Sequence, residues 1–101
     1  MRNRYVNDRV QLKHPRGKKP VTMSKEKYDF LRPAVLNYLR TREKATLGEI
    51  SGAIEKHLKV KKKKFPGSLA WHLEWVKLDL EARKLIRRVP DTSPQEYMAL
   101  R

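Results

Sequence analysis

At 101 residues the chain has room for one small domain and a modest core. It contains no cysteine, which excludes disulfides and thiolate metal sites, and its 39% hydrophobic content excludes a fully disordered tail. The formal net charge of +14 points to a polyanionic partner, of which nucleic acid is the commonest. No apolar run is long enough to span a membrane, and no apolar signal-peptide core follows the basic Met1–Arg4 start. A reducing cytoplasm is the expected compartment. The charge is not spread evenly. Residues 1–27 carry nine Lys or Arg against Asp8 and Glu26. Residues 59–67 carry five lysines and no acid, whereas residues 68–86 carry three of each sign.

Residues 1–8, with Arg2 and Arg4, read as a basic flexible arm, and residues 9–101 as a single domain. Val10 and Leu12 alternate with polar residues, as do Val21 and Met23, and Pro15-Arg16-Gly17-Lys18 between them is turn chemistry. The pattern predicts an N-terminal β-hairpin over 9–23, with Pro20 at an edge or bulge. Ser24 suits a helix N-cap, and Tyr28, Leu31, Val35, Tyr38 and Leu39 follow at helical spacing to about Thr41. Pro33 inside that pattern predicts a kink or a second helical segment. Thr46 and Glu49 form a capping box, and Leu47, Ile50, Ala53, Ile54 and Leu58 share one face of a helix of about three turns. A basic loop follows, and Ser68 caps a third helix running to about Arg83. Residues 85–89 and 97–100 read as strands. The order helix, capped helix, helix, strand, loop, strand predicts a mainly α (α+β) fold: a winged helix-turn-helix preceded by the hairpin.

The stretch "VKLDLEARKLI" resembles the point in many winged-helix proteins where the third helix ends in Leu-Glu-x-x-Gly-Leu-Ile and enters the wing. Lys84 stands at the glycine position, so it must turn left-handed or the helix must end differently, at a cost of about 1 kcal/mol. "HPRG" at 14–17, Lys27-Tyr28, "FPGSLAW" at 65–71 and "VKLDLEAR" at 76–83 together resemble a family of small, mostly bacterial winged-helix-like domains of unknown function. The resemblance spans roughly residues 10 to 100. It implies the fold and brings no activity.

The third helix has two apolar sides. Leu69, Leu73, Val76 and Leu80 fall on one, and Trp71, Trp75, Leu78 and Ala82 on nearly the opposite one. The first suits the domain core. The second needs a cover, since so large an apolar patch is unusual on a monomer. Val10, Leu12, Val21 and Met23 of the hairpin are the expected cover, and a second subunit is the alternative. Trp71 and Trp75 therefore read as covered aromatics, with a stacking platform for single-stranded bases as the rival.

Phosphate contacts are expected from Lys59, Lys61, Lys62, Lys63 and Lys64, from Ser68 at the helix start, from Arg87 and Arg88 at the wing, and from Arg2 and Arg4 in the arm. Such contacts position a nucleic acid without reading its sequence. Glu74, Asp79 and Glu81 on the third helix are expected to repel phosphate or to pair with Arg83 or Lys77. His14, His57 and His72 lack metal-ligand spacing, and no nucleophile motif or phosphate-binding glycine loop appears. No catalytic residue, cofactor or metal is expected. The reading is a binder of nucleic acid, of DNA rather than RNA, with low sequence specificity, as a monomer or homodimer and with no membrane partner. The alternative is a protein-interaction module on the same scaffold, which exposed tryptophans would favour.

Overall fold

The computed structural model describes residues 9–18 and 21–100. The arm at 1–8, with Arg2 and Arg4, and Pro20 lie outside the described residues. Strands β1 (Arg9–Gln11) and β2 (Thr22–Ser24) pair antiparallel with Val10 opposite Met23. The Leu12 N–H donates to the Val21 carbonyl at 2.9 Å and extends the hairpin by one step. Gly17 adopts φ 68° in the connection, a conformation that costs glycine little.

Helix α1 (Lys25–Arg40) starts where the Ser24 hydroxyl accepts the Lys27 N–H at 3.4 Å. It buries Tyr28, Leu31, Val35, Leu36 and Leu39 on one side. Pro33 does not divide it into two segments. Both Pro33 and Asp29, whose carbonyl loses its helical partner, are exposed, so the missing bond falls on the solvent side. A two-residue strand that the sequence pattern did not reveal, β3 (Ala45–Thr46), precedes helix α2 (Leu47–Val60). The capping box is complete. Thr46 Oγ1 accepts the Glu49 N–H at 3.1 Å, and Glu49 Oε1 accepts the Thr46 N–H at 2.8 Å. The helix has 14 residues, longer than expected, and Lys59 belongs to its last turn rather than to the loop.

Helix α3 (Leu69–Ala82) is capped by Ser68, whose Oγ accepts the Trp71 N–H at 3.2 Å. Strands β4 (Ile86–Val89) and β5 (Glu96–Ala99) follow. Together with β3 they form an antiparallel sheet of order β3-β5-β4, with Ala45 opposite Tyr97 and Ile86 opposite Ala99. Leu31 and Val35 of α1, Ile50 of α2, Leu73, Val76 and Leu80 of α3 and Ile86 of β4 meet in one core.

The hairpin does not shield Trp71, which corrects the sequence expectation: that side chain is 62% exposed. Leu12 and Met23 instead enter the main core. Asp79 explains the docking. It lies on the edge between the two apolar sides of α3 and is fully buried. Its Oδ1 accepts the Lys13 backbone N–H at 2.8 Å, just past β1. Its Oδ2 accepts the Tyr28 hydroxyl at 2.6 Å, and Arg83 Nε donates to both oxygens at 3.0 and 2.9 Å. The hairpin is thus tied to an edge of α3, away from Trp71.

Lys84 takes φ 62°. Its N–H donates to the Glu81 carbonyl at 3.0 Å, and the Leu85 N–H to the Leu80 carbonyl at 2.9 Å. This pair of bonds is the Schellman motif, with lysine where glycine is favoured. Replacing the exposed Lys84 by Gly is expected to stabilise the domain by about 1 kcal/mol, raising Tm by about 4–8 °C in a thermal melt.

Burial raises the pKa of Tyr28 above its ordinary 10.0, and the hydrogen bond to Asp79 adds to the shift. A folded-state pKa above the unfolded one contributes stability that is complete below pH 10 and lost as pH rises through the folded value. Tyr28→Phe is therefore expected to cost about 1–3 kcal/mol at neutral pH. The gap between wild type and variant should narrow above about pH 10 in urea unfolding.

Candidate nucleic-acid interface

The lysine segment spans the end of α2 and the loop beyond it. Lys59 lies in the final turn, Lys61 is the C-cap residue, and Lys62 turns left-handed at φ 54°. The Lys62 N–H donates to the Lys59 carbonyl at 3.1 Å and the Lys63 N–H to the Leu58 carbonyl at 2.9 Å. A second Schellman motif therefore fixes the exit of the chain. Cations at this end also offset the negative end of the α2 dipole. Lys59 and Lys61–Lys64 are all exposed. Among the described residues none of the five forms an ion pair.

The next residues fold back on α1. Lys27, Phe30, Lys63, Lys64, Phe65 and Glu26 line a depression of about 450 Å³. Lys27 Nζ stands 5.2 Å from the centre of the Phe65 ring. Lys27 is separated from the lysine run by more than thirty positions. No sequence signal marks it as part of this surface, and only the packing of the loop on α1 brings it there. Gly67 follows at φ 88°, and a Cβ there would stand 3.3 Å from His72 Cε1, so the chain passes close to α3 before entering it. Ser68 is exposed. Its Oγ caps α3, and its O–H stays available to donate.

The carboxylates of α3 are neutralised within the fold. Glu74 pairs with Lys77 at 2.8 Å, Asp79 with Arg83 at 2.9 Å, and Glu81 with Arg88 at 2.9 Å. The bond to Asp79 raises the pKa of Arg83, and the bond to Glu81 raises that of Arg88. Arg87 and Arg88 are both exposed and occupy successive positions of β4, so their side chains leave opposite faces of the sheet. Arg88 folds onto α3. Arg87 makes no ion pair among the described residues, and its Nη1 donates to the Arg88 carbonyl at 3.2 Å. Among the described residues no three of His, Asp or Glu gather as a metal site.

The outer side of α3 is apolar. Trp75, Leu78 and Ala82 are half-buried, and Trp71 is the most exposed of the four. Rings follow one another from the loop to this side. Phe65 meets His72 edge-on at 5.1 Å, His72 meets Trp75 at 5.8 Å, and Trp75 meets Trp71 at 6.2 Å.

The described residues define a small α+β domain of three helices and two small antiparallel sheets. The chain belongs to a family of unknown function, DUF6958, whose family model matches residues 9–97. No curated protein and no solved structure matches the chain. No helix among the described residues is long and apolar enough to cross a membrane.

The unequal exposure of the two tryptophans can be read directly. In Trp75→Phe the remaining Trp71 should emit at long wavelength and be strongly quenched by acrylamide. In Trp71→Phe the remaining Trp75 should be blue-shifted and quenched less.

Proposed function

We propose that this chain is a winged-helix protein that binds nucleic acid, double-stranded DNA foremost, through phosphate contacts and with low sequence specificity, in the cytoplasm. The observation that carries this reading is the sorting of charge. The acids of α3 are paired internally, while Lys59 and Lys61–Lys64 stand exposed without an ion pair among the described residues. The order α1, β3, α2, α3, β4, β5 with the sheet β3-β5-β4 supports the winged-helix assignment. The outer side of α3 carries tryptophan, leucine and alanine instead of the polar side chains that read base edges. That composition argues for backbone contacts over sequence reading.

One observation favours the rival reading of a protein-interaction module: the 62% exposure of Trp71. Salt dependence separates the two. Anisotropy of a labelled random-sequence duplex, titrated at several salt concentrations, should give a log–log slope of about −4 to −5 for five phosphate contacts. Changing Lys61–Lys64 to Ala should move the slope to about −1. No binding at about 50 mM salt, where the electrostatic term is strong, would overturn the nucleic-acid reading.

A further inference from the structure

Trp71 is unexplained by the fold. A tryptophan left in water forgoes one of the larger gains available from burial. Yet Trp71 is held in place. Its ring sits 6.2 Å from Trp75 at 43°, and Trp75 is wedged against His72 at 5.8 Å and 63°. His72 in turn meets Phe65 at 80°. Trp75, His72 and Phe65 are half-buried, so they form a seat, and Trp71 at its end offers an open ring.

The same ring row runs into the lysines. Phe65 shares its depression with Lys27, Lys63 and Lys64, three cations against the single acid Glu26. Trp71 therefore lies at the outer end of a strip whose inner end is cationic. An open aromatic face at one end of a ring row and cations at the other suit a base at the first and phosphates further along the strand at the second. Every base has a π-face, so this recognition needs no particular sequence. A base inside a duplex is stacked on both sides and presents no such face.

Resting on the nucleic-acid reading above, we infer that Trp71 stacks an unpaired base, while Lys63 and Lys64 hold phosphates further along the same strand. The ligand class is single-stranded nucleic acid, or a duplex with an unpaired nucleotide. Glu74, one turn from Trp71, does not oppose this, because Lys77 neutralises it at 2.8 Å.

The test uses the full chain with three probes of equal length, about 20 nucleotides, somewhat longer than the roughly 4–16 nucleotides a single-strand-binding domain occupies. They are an oligothymidylate, an abasic deoxyribose-phosphate strand and a duplex. Trp71→Ala should weaken oligothymidylate binding by roughly 5- to 150-fold, the range that one stacked base supplies. Trp71→Phe, which keeps a ring, should lose less. The abasic strand and the duplex should bind both variants as they bind wild type, with the salt slope unchanged. Thermal melts of the variants check folding, and the exposed position of Trp71 predicts unchanged curves.

Equal oligothymidylate affinity for wild type and Trp71→Ala would overturn the inference, while salt-dependent duplex binding would leave the parent reading standing. Failure of all three probes to bind at low salt would remove both. A drop in sedimentation coefficient on Trp71→Ala, from dimer to monomer, would assign Trp71 to a contact between copies and overturn the inference as well.

Discussion

A carboxylate that no water reaches holds this domain together. Asp79 sits in the middle of a chain whose net charge is strongly positive, and it is fully buried. Taking a lone carboxylate out of water costs several kcal/mol, and the arrangement is stable only if donors replace the lost hydration. Two arrive from distant parts of the chain, the Lys13 backbone N–H and the Tyr28 hydroxyl, and the Arg83 guanidinium comes from one turn further on. Each bond therefore fixes a different element. The hairpin, α1 and the end of α3 are pinned to one point, and Leu12 and Met23 are drawn into the core beside it. The exposure of Trp71 follows from the same constraint. The hairpin is anchored at Asp79 and leaves Trp71 open.

Local chemistry was legible in the sequence. Ser24, Thr46 with Glu49, and Ser68 mark helix starts because a cap needs partners only two or three residues away. At Lys84 the resemblance left two endings open, a left-handed residue or a different helix end, and the bonds from Lys84 to Glu81 and from Leu85 to Leu80 mark the first. What escaped depends on long-range partners. Strand β3 has two residues and exists only because β5 pairs with it, and no periodicity can announce two residues. The place of Asp79 depends on Lys13 and Tyr28, 66 and 51 positions away. The two-sided apolar pattern of α3 was read correctly as a pattern. Period alone does not tell a side that is covered from one that is left open, and the hairpin was assigned to the wrong place for that reason.

The candidate site divides along the same line. The lysine run announces itself by composition, but Lys27 joins it only through the fold. The acids of α3 illustrate the opposite case. Read in sequence, Glu74, Asp79 and Glu81 were expected either to repel phosphate or to pair with Arg83 or Lys77, and the pairs Glu74–Lys77 and Asp79–Arg83 are the ones that form. In three dimensions each meets a cation on α3 or close to its end, and α3 becomes electrically quiet. A chain of net charge +14 thus spends several of its cations on its own acids and leaves others exposed on one segment.

That segment is better ordered than its composition suggests. Four successive lysines usually mean a solvated, mobile loop, yet here Lys62 and Lys63 close a Schellman motif and Phe65 packs toward Phe30 at 6.5 Å. The left-handed Lys62 costs energy that a glycine would not. The motif fixes the backbone that carries Lys62 and Lys63, so their exposed side chains leave the surface from set positions. The strained lysine and the anchored phenylalanine therefore work in the same direction: they set the backbone course of the basic segment, and the ring row runs outward from Phe65 to Trp71.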